Sequence, residues 1–173
     1  SVSDLLIFTT YYVKAYAVNS AGVAYSDVVS FKTLASTPVV NTLAASEVSS
    51  DIAVLSGKVV TDNGAAITER GFVWLKGSDA PTTSSNKLKV EGTTGDFIAT
   101  LTDLDPNQKY SFRAYAINSK GTSYGDVMTF TTVAGLPTLS AMKVSDITTT
   151  SATFTCAVTG HSGDIVSEVG FYI

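Results

Sequence analysis

Few residues in this sequence have the types and spacing that catalysis or metal binding requires. His161 is the only histidine and Cys156 the only cysteine, so neither a zinc cluster of these residues nor an internal disulfide is expected. The acidic residues fall in turns or on strand exteriors, where Asp commonly bonds to local backbone. They include Asp27, Asp62, Asp79, Asp105 and Asp126. Without a Ser/His/Asp set or a phosphate-binding or calcium-binding loop, the sequence predicts no catalytic residue, no cofactor, no metal ligand and no enzyme activity.

Tyrosine and basic side chains form the pattern best suited to binding. Arg113 and Tyr115 share one face of a predicted strand, and Tyr124 stands close by on the next. Tyr and Arg often anchor interfaces. Packing between the strands of their own domain is one interpretation of these side chains, and contact with a protein or a glycan is the other. The candidate contact residues are Arg113, Tyr115, Tyr124, Lys14, Tyr16 and Glu168.

Charge and hydropathy argue against two classes of partner. The 11 Lys and Arg residues are spread thinly and the formal net charge is −4, whereas nucleic-acid binding requires clustered basic side chains. No segment approaches the roughly 18 consecutive apolar residues of a membrane span, so we expect no membrane insertion in this segment. Both features agree with an extracellular or cell-surface protein.

The sequence repeats itself at an offset of 99 residues. Residues 16–22, YAVNSAG, return as YAINSKG at 115–121, and ERGF at 69–72 returns as EVGF at 168–171, with no insertion or deletion between. A period of this length is the size of a whole small domain. The chain is therefore predicted to be a tandem array of one module.

Alternation of apolar and polar residues at every second position indicates β-strands throughout. Thr, Val, Ile, Tyr and Phe dominate the alternating segments, and Gly, Asn and Asp mark the turns between them. In the complete copy, the predicted strands are A near 38–44, B near 52–60, C near 67–75, C′ near 87–91, E near 96–101, F near 109–117 and G near 123–132.

One segment carries a family resemblance. Residues 104–110, LDPNQKY, and the alternating strand after them resemble the E–F turn and F strand of a fibronectin type III module. The resemblance implies that Tyr110, and Tyr11 in the first copy, form a tyrosine corner whose hydroxyl bonds to the chain just upstream. The first copy departs from the pattern in this turn, because Ile7 and Phe8 replace Pro106 and Asn107.

The resemblance implies an all-β fold of tandem immunoglobulin-like, fibronectin type III-like β-sandwiches, one complete and two partial. Residues 1–34 are interpreted as the C-terminal part of a module, with strands F and G. Residues 35–133 form the complete module, and 134–173 form the N-terminal part of the next, with strands A to C. The linkers at 35–38 and 134–137 are short, so we expect a semi-rigid rod.

Each partial module should leave an apolar sheet face without a partner. Three explanations stay open. The chain could be a piece of a longer polypeptide, the end of one subunit could pair with the start of the next, or two copies could exchange strands in a closed dimer. Self-association through the terminal modules is therefore one expected interaction.

A specific register of strands C and F follows from the predicted alternation. We expect Glu69 to form a cross-strand ion pair with Arg113, and Tyr115 to lie over Gly71. If the end of one subunit pairs with the start of another, the corresponding ion pair is Glu168 with Lys14.

The motifs of the F–G hairpin resemble repeats of bacterial surface and secreted proteins. This resemblance implies a non-catalytic structural or adhesive region that acts as a spacer, an adhesin or a filament-forming subunit. The alternative is an accessory carbohydrate-binding module of a secreted glycan-degrading enzyme. The two differ in whether the isolated chain binds a glycan.

Overall fold

The computed structural model describes residues 1–173 and contains only strands, turns and loops, which confirms the predicted all-β fold class. None of its elements is a helix of the length and hydrophobicity that crossing a bilayer requires. The strands are β1 Thr10–Val13, β2 Tyr16–Asn19, β3 Gly22–Tyr25, β4 Val29–Lys32, β5 Val39–Ser46, β6 Ala53–Thr61, β7 Ile67–Lys76, β8 Asn86–Lys89, β9 Gly95–Leu101, β10 Lys109–Asn118, β11 Gly121–Tyr124, β12 Met128–Thr131, β13 Thr138–Leu139, β14 Lys143–Ser145, β15 Thr153–Thr155 and β16 Val158–Gly160.

Strands β5 to β12 form a sandwich of two sheets. One sheet has the order β5-β6-β9, and the other has the order β11-β10-β7-β8 with β12 also paired to β10. All pairings are antiparallel. These strands match the predicted A, B, C, C′, E, F and G within a few residues. The predicted single strand G is divided into β11 and β12 by residues 125–127. At Gly125 a Cβ would lie 2.5 Å from the Thr42 amide nitrogen.

The core lies between the two sheets and is built by the alternation along each strand. From β10 it takes Tyr110, Phe112, Ala114 and Ala116, which are all at most 1% exposed. Phe72 of the neighbouring strand β7 adds to the same side, and Leu55 and Val59 of β6 and Phe97 of β9 face them from the other sheet. The rings of Phe72 and Phe97 meet across the sandwich with centroids 4.9 Å apart. Trp74 is partly buried at the edge of this core, against Tyr110.

Gly57 marks the tightest contact between the sheets. A Cβ at this position would lie 2.8 Å from the Cβ of Ala114 and 3.2 Å from the rings of Phe72 and Phe97. The equivalent residue in the following copy is Cys156, which is half-buried. Close packing of the complete module therefore leaves no volume for the side chain that the next copy carries at this position.

The 99-residue period is present in the backbone as well as in the sequence. In the first copy Tyr11 pairs with Phe31 and Tyr16 with Tyr25. In the complete module the pairs one period later are Tyr110 with Phe130 and Tyr115 with Tyr124. Residues 10–32 therefore form the same pair of antiparallel contacts as strands F and G.

The strands outside the sandwich expose apolar side chains. Tyr12 is 75% exposed in β1, and Phe154 and Phe171 touch each other with ring centroids 5.8 Å apart while remaining accessible. Residues 138–160 form two short antiparallel pairs, β13 with β16 and β14 with β15. The division of the chain at 34/35 and 133/134 stays a prediction.

Candidate functional site

The tyrosine corner occurs twice with the same geometry. The Asp105 amide donates a hydrogen bond to the hydroxyl of Tyr110 at 2.9 Å. One period earlier, the Leu6 amide donates to the hydroxyl of Tyr11 at 2.7 Å. Each tyrosine thus holds the turn five residues upstream, as the resemblance implied.

The turn before each corner tyrosine keeps its shape despite a change of residues. We call residues 3–8 and 102–107 the first and second corner turns. Asp4 and Phe8 have φ of 60° and 51°, and Asp103 and Asn107 have φ of 59° and 50°. The sequence departure at Ile7 and Phe8 therefore does not alter the turn, because hydrogen bonds to the tyrosine and to backbone close it without the proline ring.

Tyr115 lies opposite Gly71 in the register of β7 on β10, as predicted. A Cβ at Gly71 would overlap the Leu88 carbonyl oxygen, since β8 runs close over this position. The Tyr115 ring is fully buried, and its hydroxyl donates to Glu69 Oε1 at 2.8 Å. The prediction that Tyr115 contacts a partner is therefore wrong, because the domain itself covers the ring.

Arg113 and Tyr124 are held by residues of the segment between β7 and β8. The guanidinium of Arg113 lies 3.9 Å from the centre of the Tyr124 ring, and its Nε donates to the Pro81 carbonyl at 2.5 Å. The Tyr124 hydroxyl accepts a hydrogen bond from the Thr83 amide at 3.0 Å. The segment 77–85 thus packs on this face of the sheet, and the side chains pack within their own domain.

The predicted ion pair between Glu69 and Arg113 is wrong. In the antiparallel register that places Tyr115 opposite Gly71, Arg113 lies opposite Val73 and Glu69 lies opposite Ile117. Glu69 instead binds the ammonium groups of Lys87 at 2.9 Å and Lys89 at 2.5 Å, both on the neighbouring strand β8.

The lysines and the tyrosine around Glu69 set its protonation. Hydrogen bonds from Lys89 and then Lys87 lower the pKa of the Glu69 carboxyl to about 2, against the opposing effect of burial. Burial, followed by the hydrogen bond to the charged Glu69, raises the pKa of the Tyr115 hydroxyl. The cluster is a charged clamp between β7, β8 and β10.

The remaining predicted contact residues lie on exposed parts of the chain. Lys14 Nζ lies 3.9 Å from the centre of the Tyr25 ring, the same distance as in the equivalent pair of Arg113 and Tyr124 one period later. Tyr16 is 71% exposed. Glu168 is also exposed. Shifted by one period, the observed register would place Glu168 opposite Val18, so the expected pair of Glu168 with Lys14 rested on the same register error.

A joint connects residues 1–34 to the complete module. The Phe8 ring of the first corner turn lies against Gly64 in the turn between β6 and β7, where a Cβ would overlap the ring. Asn63 Nδ2 donates to the Thr37 carbonyl at 2.7 Å, and the Ser36 amide donates to the Asn63 carbonyl at 3.2 Å. Lys32 Nζ lies over the Phe8 ring, 3.2 Å from its centre.

A second joint connects the complete module to residues 134–173 in the same way. Asn107 of the second corner turn donates through Nδ2 to the Gly163 carbonyl at 2.5 Å. The Gly135 amide donates to the Ser162 carbonyl at 2.9 Å, which is the counterpart of the bond between Ser36 and Asn63 one period earlier. In both joints a corner turn therefore rests on the same turn of the next module, residues 62–64 in the first joint and 161–163 one period later.

Asn118 is a further residue of the first joint, and the sequence suggested it only as a turn former. Its side chain is buried, and Nδ2 donates to the Ser36 carbonyl at 2.9 Å and to the Asp62 carbonyl at 3.0 Å. Its Oδ1 accepts from the Lys120 amide at 2.8 Å. The recurrence of Asn-Ser at 19–20 and 118–119 is the sequence signal that could have identified it.

The groups with catalytic or metal-binding chemistry lie apart from one another. The structure contains no group of three or more His, Cys, Asp or Glu side chains placed to hold a metal ion. His161 is exposed in a turn, where its carbonyl accepts from the Asp164 amide. Cys156 is half-buried beside Ser140, whose carbonyl lies 3.2 Å from the sulfur.

The sequence matches no family model and no curated protein. Among solved structures, domains d3–d4 of the rat CD45 extracellular region match 76% of this chain and 68% of that one, with 19% identity and a TM-score of 0.52. The sensor domain of the anti-sigma factor RsgI4 from Pseudobacteroides cellulosolvens matches 57% of this chain and 96% of its own, with 20% identity and a TM-score of 0.42. Domains FN1–FN3 of chicken CNTN1 match 75% and 44%, with 22% identity and a TM-score of 0.43. The two-sheet arrangement and the likeness to the CD45 domains show that the chain has the immunoglobulin-like, fibronectin type III-like β-sandwich fold.

Proposed function

We propose that this chain belongs to a non-catalytic structural array on a bacterial cell surface or in a secreted protein. Its β-sandwich modules act as a spacer or as an adhesin. The observation that carries the proposal is the joint, which occurs twice at the 99-residue period. A spacer needs its modules held at a constant relative geometry, and a repeated joint supplies it. The CD45 structure is described as an extracellular region, and an extracellular or cell-surface location is part of this proposal.

The contacts within each joint explain why the linkers would not behave as free tethers. Six residues separate β4 from β5, and a flexible linker of that length would have a root-mean-square span of roughly 14 Å. In the first joint the linker is tied instead at Ser36 and Thr37, both by Asn63. Ser36 is tied a second time by Asn118. Backbone groups of the linker thus have partners in the module that follows.

The packing of the candidate contact residues supports a structural role over ligand binding. Tyr115 is buried, and Arg113 and Tyr124 bond to the segment 77–85. A glycan would have to displace this segment before it could stack on either ring. A glycan array with the full chain addresses the carbohydrate-binding alternative, and reproducible binding to one glycan class that is lost on Tyr124→Ala would favour it.

The rod proposal can be tested by measuring distances across the first joint. Spin labels at Val23→Cys and Val60→Cys, both exposed positions, report the separation of residues 1–34 from the complete module in a Cys156→Ala background. We expect a narrow distance distribution in the otherwise unchanged chain. The Phe8→Ala/Asn63→Ala double variant should broaden it, because both joint contacts are removed.

A matched control separates loss of the joint from loss of side chains in general. Tyr12→Ala/Asn86→Ala also removes one aromatic and one amide, from exposed positions outside the joint, and should leave the distribution narrow. If the unchanged chain already gives the broad distribution of the joint variant, the spacer proposal is wrong.

A further inference from the structure

The complete module has edge strands that differ in how they are protected. Strand β8 is four residues long and carries Lys87 and Lys89, which is a common protection against pairing with another sheet. Strand β5 has two register irregularities against β6, and its Thr42 lies against Gly125 of the opposite sheet. Short length, charge, irregularity and a covering segment all discourage strand addition.

Strand β9 is neither short nor irregular, and it carries no lysine. Its seven residues pair with β6 in an unbroken register from Gly95 to Leu101. It stands at the end of its sheet, and no backbone group of β9 bonds to a turn or loop elsewhere in the chain. The backbone groups on its outer side are therefore open to another strand.

The side chains of β9 are also suited to an apolar partner. Ile98, at the centre of the strand, is 67% exposed on the outer face. The one charged residue, Asp96, is already bound to Lys58 of β6 at 3.2 Å. In the row across the sheet Ile98 pairs with Ser56, and Ser56 pairs with Leu43, which is 47% exposed, so an apolar side chain stands at each end of the row.

We propose that β9 pairs antiparallel with β9 of a second copy of this chain, centred on Ile98, so that two three-stranded sheets join into one of six strands. The strand is self-complementary in this register. Ile98 meets Ile98 of the other copy, and Asp96 meets Thr100, whose hydroxyl can donate to the carboxylate. No like charges lie opposite each other, which the pairing of identical strands would otherwise risk.

The backbone agrees with this register. In an antiparallel pair, the amide and carbonyl of one residue point to the same side, and successive residues alternate sides. In a pair centred on Ile98, opposite residues of the two copies differ in number by an even number of positions, so they turn their backbone groups to the same side of the strand. The outward backbone groups of one copy therefore meet the outward groups of the other.

The central contact can be tested by disulfide trapping in the full chain. Directly opposite residues have Cα atoms about 4.5 to 5.5 Å apart, within the range of about 4.4 to 6.8 Å that a disulfide spans. In a Cys156→Ala background, Ile98→Cys should form covalent dimers under mild oxidation. Val60→Cys is the matched control, because Val60 is 47% exposed on the adjoining strand β6, beyond the paired length of β9.

Dimers of Ile98→Cys with none of Val60→Cys would support the proposal. Equal dimer formation by both variants would indicate random collision and overturn it, as would the absence of dimers from Ile98→Cys. Circular dichroism of each variant checks that the β-sandwich has formed.

The register can be tested by mixing two variants in the same background. Asp96→Cys and Thr100→Cys lie opposite each other in the proposed pair, whereas two copies of Asp96→Cys lie about 13 Å apart, at four residues of about 3.3 Å each. We expect disulfide dimers only in the mixture. Dimers of Asp96→Cys with itself would overturn the antiparallel register.

Non-covalent association gives an independent measurement. Association through β9 should raise the sedimentation coefficient as the protein concentration rises. Ile98→Lys places two ammonium groups opposite each other and should abolish this increase. Val60→Lys adds the same charge outside the edge and should leave the increase unchanged. An equal loss in both variants, or in neither, would overturn the proposal.

Discussion

Phe8 and Asn107 occupy the same position in successive corner turns, and each lies against the glycine at the same position of the next module, Gly64 for Phe8 and Gly163 for Asn107. One side chain contacts Gly64 with an aromatic ring, and the other bonds to the Gly163 carbonyl through an amide. Both residues have left-handed φ, 51° and 50°. The position of the contact is therefore conserved between the joints while its chemistry changes, which indicates that backbone geometry locates the joint.

The glycine of the first joint should not tolerate a side chain. Gly64 has φ of +81°, and a Cβ would overlap the Phe8 ring. Left-handed φ costs roughly 1–2 kcal/mol for a residue with a Cβ, so Gly64→Ala should lower the free energy of unfolding of the complete module by about that amount. Urea denaturation followed by Trp74 fluorescence measures it. Gly170→Ala is the control, because a Cβ there meets nothing within 4 Å, and an equal loss in the control would contradict the explanation.

The tyrosine corner should contribute measurable stability through its hydroxyl. Tyr110→Phe leaves the Asp105 amide without its acceptor, and a lost hydrogen bond of this kind costs about 1 kcal/mol. The same urea experiment should show a lower midpoint. Tyr12→Phe removes a hydroxyl from a 75% exposed ring and should leave the midpoint unchanged. Unchanged stability in Tyr110→Phe would mean that water replaces the hydroxyl.

The contact at Gly57 should be relieved by a compensating change. Gly57→Ala would bring a Cβ to 2.8 Å from that of Ala114, and overpacking a core costs roughly 1–3 kcal/mol. Adding Ala114→Gly should recover part of the loss, so the two changes should be less than additive in a double-mutant cycle. Strict additivity would show that the rings of Phe72 and Phe97, and not Ala114, limit the space.

The clamp around Glu69 should make stability depend on pH below neutrality. Its pKa is lowered from 4.5 to about 2 in the folded chain by Lys89 and Lys87. A carboxyl with a depressed pKa stabilises the fold above its unfolded pKa, and this contribution is lost as the pH falls from about 4.5 towards 2. Thermal unfolding across that interval should show a steeper loss for the unchanged chain than for Glu69→Gln. Glu91→Gln, an exposed acid outside the clamp, should retain the steep loss.

The resemblance between the two corner turns illustrates how much of the fold was predictable. Alternation of side chains identified the strands of the complete module, and the LDPNQKY segment identified Tyr110 as the corner residue. These features depend on residues within one strand or one turn. The joint was not predicted, because Phe8 and Gly64 are far apart in the chain and neither residue type marks a contact.

The errors at the candidate site have one physical origin. The sequence predicted which residues of β7 and β10 share a face, and the pairing of Tyr115 with Gly71 followed correctly. It did not predict that antiparallel order then moves Arg113 to Val73 and leaves Glu69 to Lys87 and Lys89. It also did not predict that the segment 77–85, which has no periodic pattern, bonds to Arg113 and Tyr124.

The sequence by itself determined the all-β class, the 99-residue period, the strands and the corner tyrosines, because alternation and turn chemistry act over a few neighbouring residues. The tertiary structure decided which charged groups meet, that the Tyr115 ring is covered, how the joints form and which edge strand stays open. These depend on contacts between residues that are 18 to 82 positions apart, and only the packed backbone brings them within hydrogen-bonding distance.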